Sequence, residues 1–327
     1  MVVKMILALI AVLGGFGLLI WSAGRFVEGA AATAKHAGMP TLLIGMVIVG
    51  FGTSAPEMVV SAMASLDGNP NLALGNAVGS NIVNIGLILG ITALIAPITV
   101  HSKIVRKELP LLLIIGILTG LLLWDGVLTR FESLVLLAGF LGLLAWTIFA
   151  ALRFRGDHLE TETDQLLLVQ LMPLGKSIFW LVVGLLLLVI SSRILVWGAV
   201  TVAESLGISE LIIGLTIVAF GTSLPELAAS VIAARRGEHD IAIGNVVGSN
   251  MFNLLAVTGI AGVISPMDSF AADIITRDWT VMMLMTAVLF FMAYGFRKEG
   301  QLSRAKGCIL LIFFAGYNAW LLLSVLS

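Results

Sequence analysis

The chain runs to 327 residues, 59% of them hydrophobic and only 11% charged, well under the roughly 25% charge of an ordinary soluble domain. A water-facing surface cannot be built from that composition, so the chain reads as an integral membrane protein. Its 18 basic and 19 acidic residues leave a net charge of −1, which offers no field for nucleic acid and excludes that class of partner.

A bilayer helix needs roughly 20 apolar residues, and ten such runs follow one another along the chain. The first five fall near 5–24, 41–66, 72–98, 109–124 and 131–151, and the second five near 177–200, 211–234, 240–265, 279–296 and 307–326. Stretches such as LLLLVI at 185–190 are apolar on every side, as lipid-embedded helices are, whereas the strands of a membrane barrel alternate. The expected fold is an all-α polytopic membrane protein with ten transmembrane helices. The first run imitates a signal peptide, but no clear small-residue cleavage pattern follows it, and it is read as the first helix. The polar stretch RFRGDHLETETDQ, at 153–165, is the natural boundary between halves: 1–152, a cytoplasmic linker at 153–176, and 177–327.

The halves repeat one another at a constant offset of 169 residues. The clearest window pairs GTSAPEMVVSAMASLDGNPNLALGNAVGSNIVN, from Gly52, with GTSLPELAASVIAARRGEHDIAIGNVVGSNMFN, from Gly221. Of these 33 positions 16 are identical, and 13 of the 16 are Gly, Asn, Ser, Thr, Pro or Glu, so shared lipophilicity does not explain the match. Five spans per half is an odd number, so the second copy enters the bilayer from the opposite side, giving two inverted-topology repeats of the kind found in secondary transporters. With ten spans, four Lys and Arg fall on the N-terminal face and 14 on the other. The 14-bearing face is expected to be cytoplasmic, with both termini outside and the central loop inside.

Each second span carries one acid within lipophilic sequence: Glu57 in VGFGTSAPEMVVSA and Glu226 in VAFGTSLPELAASV. A charge at the bilayer centre costs about 2.5–3.5 kcal/mol on insertion scales, and no Lys or Arg lies inside spans two, three, seven or eight to offset it. A proton or a bound cation is left as the partner. Thr53 and Glu57 share a helix face, as do Thr222 and Glu226, and Ser54 and Ser223 lie beside them. Pro56 and Pro225 lack an N–H and free the carbonyls of Gly52 and Gly221, so each helix is expected to open there and expose backbone oxygens. In spans three and eight, Asn76, Ser80 and Asn84 recur every four residues, as do Asn245, Ser249 and Asn253, making a polar stripe on each. Gly75 with Gly79, and Gly244 with Gly248, form pairs that let another backbone approach. The inventory is carboxylate, hydroxyl, amide and carbonyl oxygen with no sulfur or imidazole, which suits Ca²⁺, Na⁺ or a related hard cation over zinc or copper.

GTSAPE and GTSLPE, each followed by a GN-x-V-GSN segment, resemble the two α-repeats of the cation/calcium exchanger superfamily, the sodium/calcium exchangers, in their short bacterial and archaeal form without a regulatory domain. The motif segments are 42–90 and 211–259. The resemblance implies ion ligands at Thr53, Ser54, Glu57, Ser80 and Asn84, and at Thr222, Ser223, Glu226 and Ser249, with carbonyl ligands near Gly50 and Ala219. It also implies that spans one and six are long tilted helices that slide across the rest during alternating access. Part of the family carries Asp where this chain has Asn253; the amide keeps an oxygen donor and removes one negative charge, leaving −2 with both glutamates ionised.

The expected function is a secondary active antiporter of an inner, or plasma, membrane, exchanging Ca²⁺ for Na⁺ at a central two-glutamate site. The alternative is a Ca²⁺/H⁺ antiporter with the same site; a cation channel would conduct without counter-ion dependence. An intramembrane enzyme would need a base beside the GTS-x-PE serines, and no intramembrane His or Lys is there. No cofactor and no obligate protein partner are expected; Ca²⁺, Na⁺ and the bilayer are the partners. The blander alternative for the glutamates is a pair of protonated acids bonded across a helix interface. For the glycine pairs it is plain packing, for Asn76 and Asn245 helix-to-helix bonding, and for Asn81 and Asn250, one position off the stripe, packing or backbone repair. Arg235 and Arg236 read as cytoplasmic anchors, the acidic run 157–164 as a solvated loop, and Cys308 as packing. Trp21, Trp124, Trp180, Trp197, Trp279 and Trp320 read as interface anchors.

Overall fold

The computed structural model describes residues 2–37, 43–68, 70–100, 104–153, 172–205, 219–294 and 300–326. The first half begins with α1 (Val2–Ala37), then a π-helical turn (Ile44–Val49) leading into the short α2 (Gly50–Thr53) and α3 (Ala55–Leu66). After these come α4 (Pro70–Ile82), a second π turn (Val83–Ile88), α5 (Leu89–Ile95) and strand β1 (Ile98–Val100). A third π turn (Ile104–Glu108), α6 (Leu109–Leu122) and α7 (Arg130–Arg153) complete it. The second half holds α8 (Leu174–Ser205), α9 (Ala219–Thr222), α10 (Leu224–Arg235), α11 (His239–Phe252), a π turn (Asn253–Val257) and α12 (Thr258–Ile264). A last π turn (Ile274–Trp279), α13 (Thr280–Ala293), β2 (Gly300–Leu302) and α14 (Arg304–Leu326) close the chain. At the sequence offset of 169, α2, α3 and α5 fall residue for residue on α9, α10 and α12.

Among the described residues six helices are long and apolar enough to cross a membrane, or seven if the bent pair 44–53 and 55–66 is one span. The remaining expected spans fall on α6, on α14, and on the stretch 211–234, of which 211–218 lies outside the described residues. The linker is likewise described only at 153 and 172–176. α1 runs on to Ala37, well past the apolar run that ends near residue 24. Hydropathy stops at Arg25 and Glu28, but the helix does not, because Ala30, Ala31 and Ala34 still pack inward and alanine is the best helix former.

Burial divides the spans into two classes. In α1, α7 and α8 only 22% of the apolar window is buried, whereas the spans Pro70–Ile95 and His239–Ile264 are 67% and 83% buried. The outer helices present leucine, isoleucine and phenylalanine outward, an apolar surface suited to lipid. The inner pair is polar along one side and sits where water and lipid are both excluded.

α1 and α8 run antiparallel with their backbones nearly touching. A Cβ on Gly15 would lie 3.0 Å from the Leu195 nitrogen, and one on Gly184 2.8 Å from the Phe26 nitrogen. Gly29 meets Ser177 and Leu181 in the same way as Gly198 meets Ala8 and Val12. All four contacts obey the repeat offset, so any larger residue there would push the helices apart.

Gly68 and Gly237 end α3 and α10 with φ of 78° and 79°, the left-handed conformation in which glycine is least strained. The two strands pair antiparallel, Ile98 opposite Leu302. Trp279 departs from the interface belt: it is 6% exposed and its ring lies against Gly120, where a Cβ would meet Nε1 at 2.6 Å. The missing side chain at Gly120 makes an inward slot that the indole fills. Trp21, Trp124, Trp197 and Trp320 are exposed.

Candidate cation site

Ser54 and Ser223 are where the two second spans break. Each has helix on both sides, and the following proline cannot donate the next helical bond, so the first such span bends by 43°. Glu57 and Glu226 therefore stand in the first turns of α3 and α10, where the helix N-terminus favours negative charge. Each is 1% exposed, so neither faces lipid.

The serines cross over. Ser54 Oγ donates to Glu226 Oε1 at 3.2 Å, and Ser223 Oγ donates to Glu57 Oε1 at 3.4 Å. Each carboxylate is thus held by the break of the other half. The second oxygens, Glu57 Oε2 and Glu226 Oε2, are buried with no hydrogen-bond partner.

A second crossed set lies on the stripe helices. Asn84 Nδ2 donates to Asn250 Oδ1 at 2.9 Å, and Asn253 Nδ2 donates to Asn81 Oδ1 at 3.1 Å. These bonds set the amide orientation and leave Asn84 Oδ1 and Asn253 Oδ1 buried without a donor. Both asparagines sit in π turns, a local widening that recurs at functional positions. The turn carrying Asn253 packs on α3, which holds Glu57, and the turn carrying Asn84 packs on α10, which holds Glu226.

Two carboxylate and two amide oxygens, all acceptors, are therefore buried and lack donors. A buried acceptor without a donor costs about 1–3 kcal/mol, more when charged, and these four, two in each half at one offset, are each short of a proton or a cation. Among the described residues no group of three or more His, Cys, Asp and Glu could hold a metal, so nitrogen- and sulfur-rich coordination is absent there. Asn250 Nδ2 is also buried without a partner, while its counterpart Asn81 Nδ2 reaches Asn250 O at 3.3 Å.

The remaining candidates are distributed as follows. Thr53 Oγ1 donates to Asn245 Oδ1 at 3.0 Å, and Thr222 is half-buried at the matching point. Ser249 Oγ donates to Gly50 O at 3.3 Å, which joins two of the candidate residues to each other. Ser80 is buried on α4, and Ala219 opens α9 next to residues outside the description. Asn76 and Asn245 link helices: their Nδ2 groups reach Ser61 Oγ and Ser230 Oγ, both at 2.9 Å, within their own halves. Gly248 lies against the Met46 backbone, where a Cβ would meet the carbonyl oxygen at 2.5 Å, so the expected close approach exists there, whereas a Cβ on Gly75 or Gly79 would have no neighbour within 4 Å and the first pair makes no such approach.

Asn81 and Asn250, expected to serve packing or backbone repair, bond the side-chain amides of Asn253 and Asn84 in the opposite half. The signal was present in the motif: GSN-x-x-N places each of them three residues before Asn84 or Asn253, one helical turn away. What the spacing could not give is that each would bond across to the other half.

The chain matches the model of the family described as "Sodium/calcium exchanger protein" over residues 7–149 and 176–323. It is 39% identical to an inner membrane protein, YrbG, of Escherichia coli, with 97% of this chain and 96% of the relative covered. It is 27% identical to the sodium/calcium exchanger MaX1 of Methanosarcina acetivorans, covering 93% of this chain and 95% of that one. Among solved structures it superposes on the sodium-calcium exchanger NCX_Mj with a TM-score of 0.82 at 31% identity, covering 96% of this chain and 98% of the other.

Proposed function

This chain belongs to the sodium/calcium exchanger protein family, and we propose that it exchanges Ca²⁺ for Na⁺ by alternating access at a site built on Glu57 and Glu226. The family is one of exchangers rather than enzymes. The observation that carries the reading is the crossed pairing of Ser54 with Glu226 and Ser223 with Glu57, with the unpartnered oxygens beside it. A hard cation satisfies such a set with oxygen alone.

In this reading the protein has ten transmembrane helices in two inverted five-helix repeats, 1–152 and 177–327, joined by a cytoplasmic linker. The antiparallel packing of α1 on α8 supports the inversion, since equivalent helices of oppositely inserted copies run in opposite directions. Both termini face outside a bacterial-type inner membrane, following the basic-residue count and the naming of the relative in Escherichia coli.

The mechanism follows from charge. Glu57 and Glu226 together carry −2 when ionised, and Asn253 adds none, so one Ca²⁺ or two Na⁺ neutralise them. Thr53, Ser54, Thr222, Ser223, Ser80, Ser249, Asn84 and Asn253, with the Gly50 and Ala219 carbonyls, supply neutral oxygens. A compensated site can be occluded between the two access states. A bare pair of carboxylates cannot be, because like charges in a low dielectric repel strongly and lose their solvation. That penalty enforces counterflow.

The test is ⁴⁵Ca uptake into proteoliposomes under imposed gradients. An outward sodium gradient should drive uptake, and none should occur without a counter-ion. Uptake driven by a pH gradient in sodium-free buffer would replace Na⁺ by H⁺ as the counter-ion, and conductance without counterflow would make the protein a channel.

A further inference from the structure

On the 14-bearing face, three arginines from two distant parts of the sequence line one cavity. Arg25 of α1, Arg235 at the end of α10 and Arg236 just beyond it surround a space of about 510 Å³, together with Ile20, Trp21 and Ile232. Glu28 is the acid beside it, accepting from Arg25 at 3.3 Å and pairing with Arg236 at 3.6 Å, so the group keeps an excess of two positive charges. The guanidinium of Arg25 is steadied by stacking, its carbon 5.0 Å from the Trp180 ring centroid and 5.9 Å from that of Trp21, which orients its fork while leaving donors free. Arg25 and Arg236 remain 39% and 41% exposed.

We propose that this cavity binds the phosphate headgroup of an anionic phospholipid, clamping α1 to α10. Guanidinium forks match phosphate oxygens in pairs, and basic pockets between spans on the cytoplasmic side are where anionic headgroups dock. The apolar part of the lining selects a lipid over free phosphate. Ile20 and Trp21 continue the outward row formed by Leu9, Leu13 and Phe16 on α1, along which an acyl chain can lie, and a tryptophan marks headgroup depth. The neighbouring cavity, of about 360 Å³, shares Arg236 but is lined by Glu28, Lys35 and Glu238 as well; its charges balance, and it gives an anion no net attraction.

The site bridges helices of opposite halves. If α1 and α8 shift against the rest during transport, a bound headgroup stabilises the arrangement of α1 on α10 described here.

The experiment uses the full-length protein purified in a neutral detergent, with melting temperature and lipid retention in native mass spectrometry as readouts. Phosphatidylglycerol, phosphatidylcholine and inorganic phosphate are added separately. Phosphatidylglycerol should raise the melting temperature and be retained, while the other two should not. Arg25→Gln and Arg235→Gln should each weaken phosphatidylglycerol binding about fivefold, near the contribution of one basic residue to anionic lipid binding. Arg235→Gln leaves both Glu28 ion pairs in place, so it separates lost binding from lost folding. Equal effects of the two lipids, full retention by Arg235→Gln, or the same protection from inorganic phosphate alone would each overturn the proposal.

Discussion

The two broken helices carry the same GTS-x-PE segment, yet their surroundings hold them differently. In the second half, the Gly221 carbonyl, deprived of its helical donor by Pro225, accepts from Ser192 Oγ of α8 at 2.9 Å. At the equivalent position of α1 stands Ala23, which has no hydroxyl to offer Gly52. The groups that face the site agree in both halves, while the groups behind it differ. A stranded carbonyl can be relieved in more than one way, so the groups behind the two breaks need not match.

That contrast can be broken or sharpened by substitution. The largest effect is expected at the acids: Glu57→Gln or Glu226→Gln should reduce ⁴⁵Ca uptake to the level of protein-free liposomes, while gel filtration still reports a folded protein. Transport surviving in either variant would remove the two-glutamate site. Next comes Asn253→Asp, which adds a third carboxylate and should shift the competition between Ca²⁺ and Na⁺ by about tenfold, near 1.4 kcal/mol. Superimposable competition curves would take Asn253 out of contact with the ion.

The serines test equivalence directly. Ser54→Ala and Ser223→Ala each remove a hydrogen bond to a carboxylate, worth about 1.5 kcal/mol or roughly tenfold, and the half-saturating Ca²⁺ concentration should rise equally in both. A large effect in only one would mean that the halves do unequal work. The smallest effect belongs behind the site: Ser192→Ala should lower stability by about 1 kcal/mol and leave ion affinity unchanged, read from thermal unfolding and from uptake. Ala23→Ser, its mirror, should move stability by no more than about 0.5 kcal/mol.

Several of these features were legible before any coordinates. Glu57 and Glu226 stood out because an acid in lipophilic sequence is costly and appears twice at one offset. A break ahead of each proline was legible, expected at Gly52 and Gly221, while the structure places it two residues on, at Ser54 and Ser223. Packing or backbone repair fits Asn81, whose Nδ2 reaches the Asn250 carbonyl, but the bonds of Asn81 and Asn250 to the amides of the opposite half were not legible, because one-dimensional spacing assigns a helix face without saying what meets that face. Trp279 was misjudged for a related reason: position near a span end suggests an interface, and only the slot at Gly120 shows that the ring turns inward. The pairing of Gly15 and Gly29 with α8, and of Gly184 and Gly198 with α1, was equally hidden, although all four glycines obey the repeat offset.

The amino-acid order alone determined that the chain lives in lipid, that it is a duplication, and that each copy holds an acid beside hydroxyl and amide oxygens. Those are properties of composition and spacing, and hydrophobic transfer and the cost of buried charge act on them wherever the helices lie. The crossing of Ser54 to Glu226 and of Asn84 to Asn250, the capping of Gly221 by Ser192, and the meeting of Arg25 with Arg235 and Arg236 were decided only by the tertiary structure. Each joins residues far apart in the chain, and helix spacing fixes which face a residue shares but not which helix comes to lie against it.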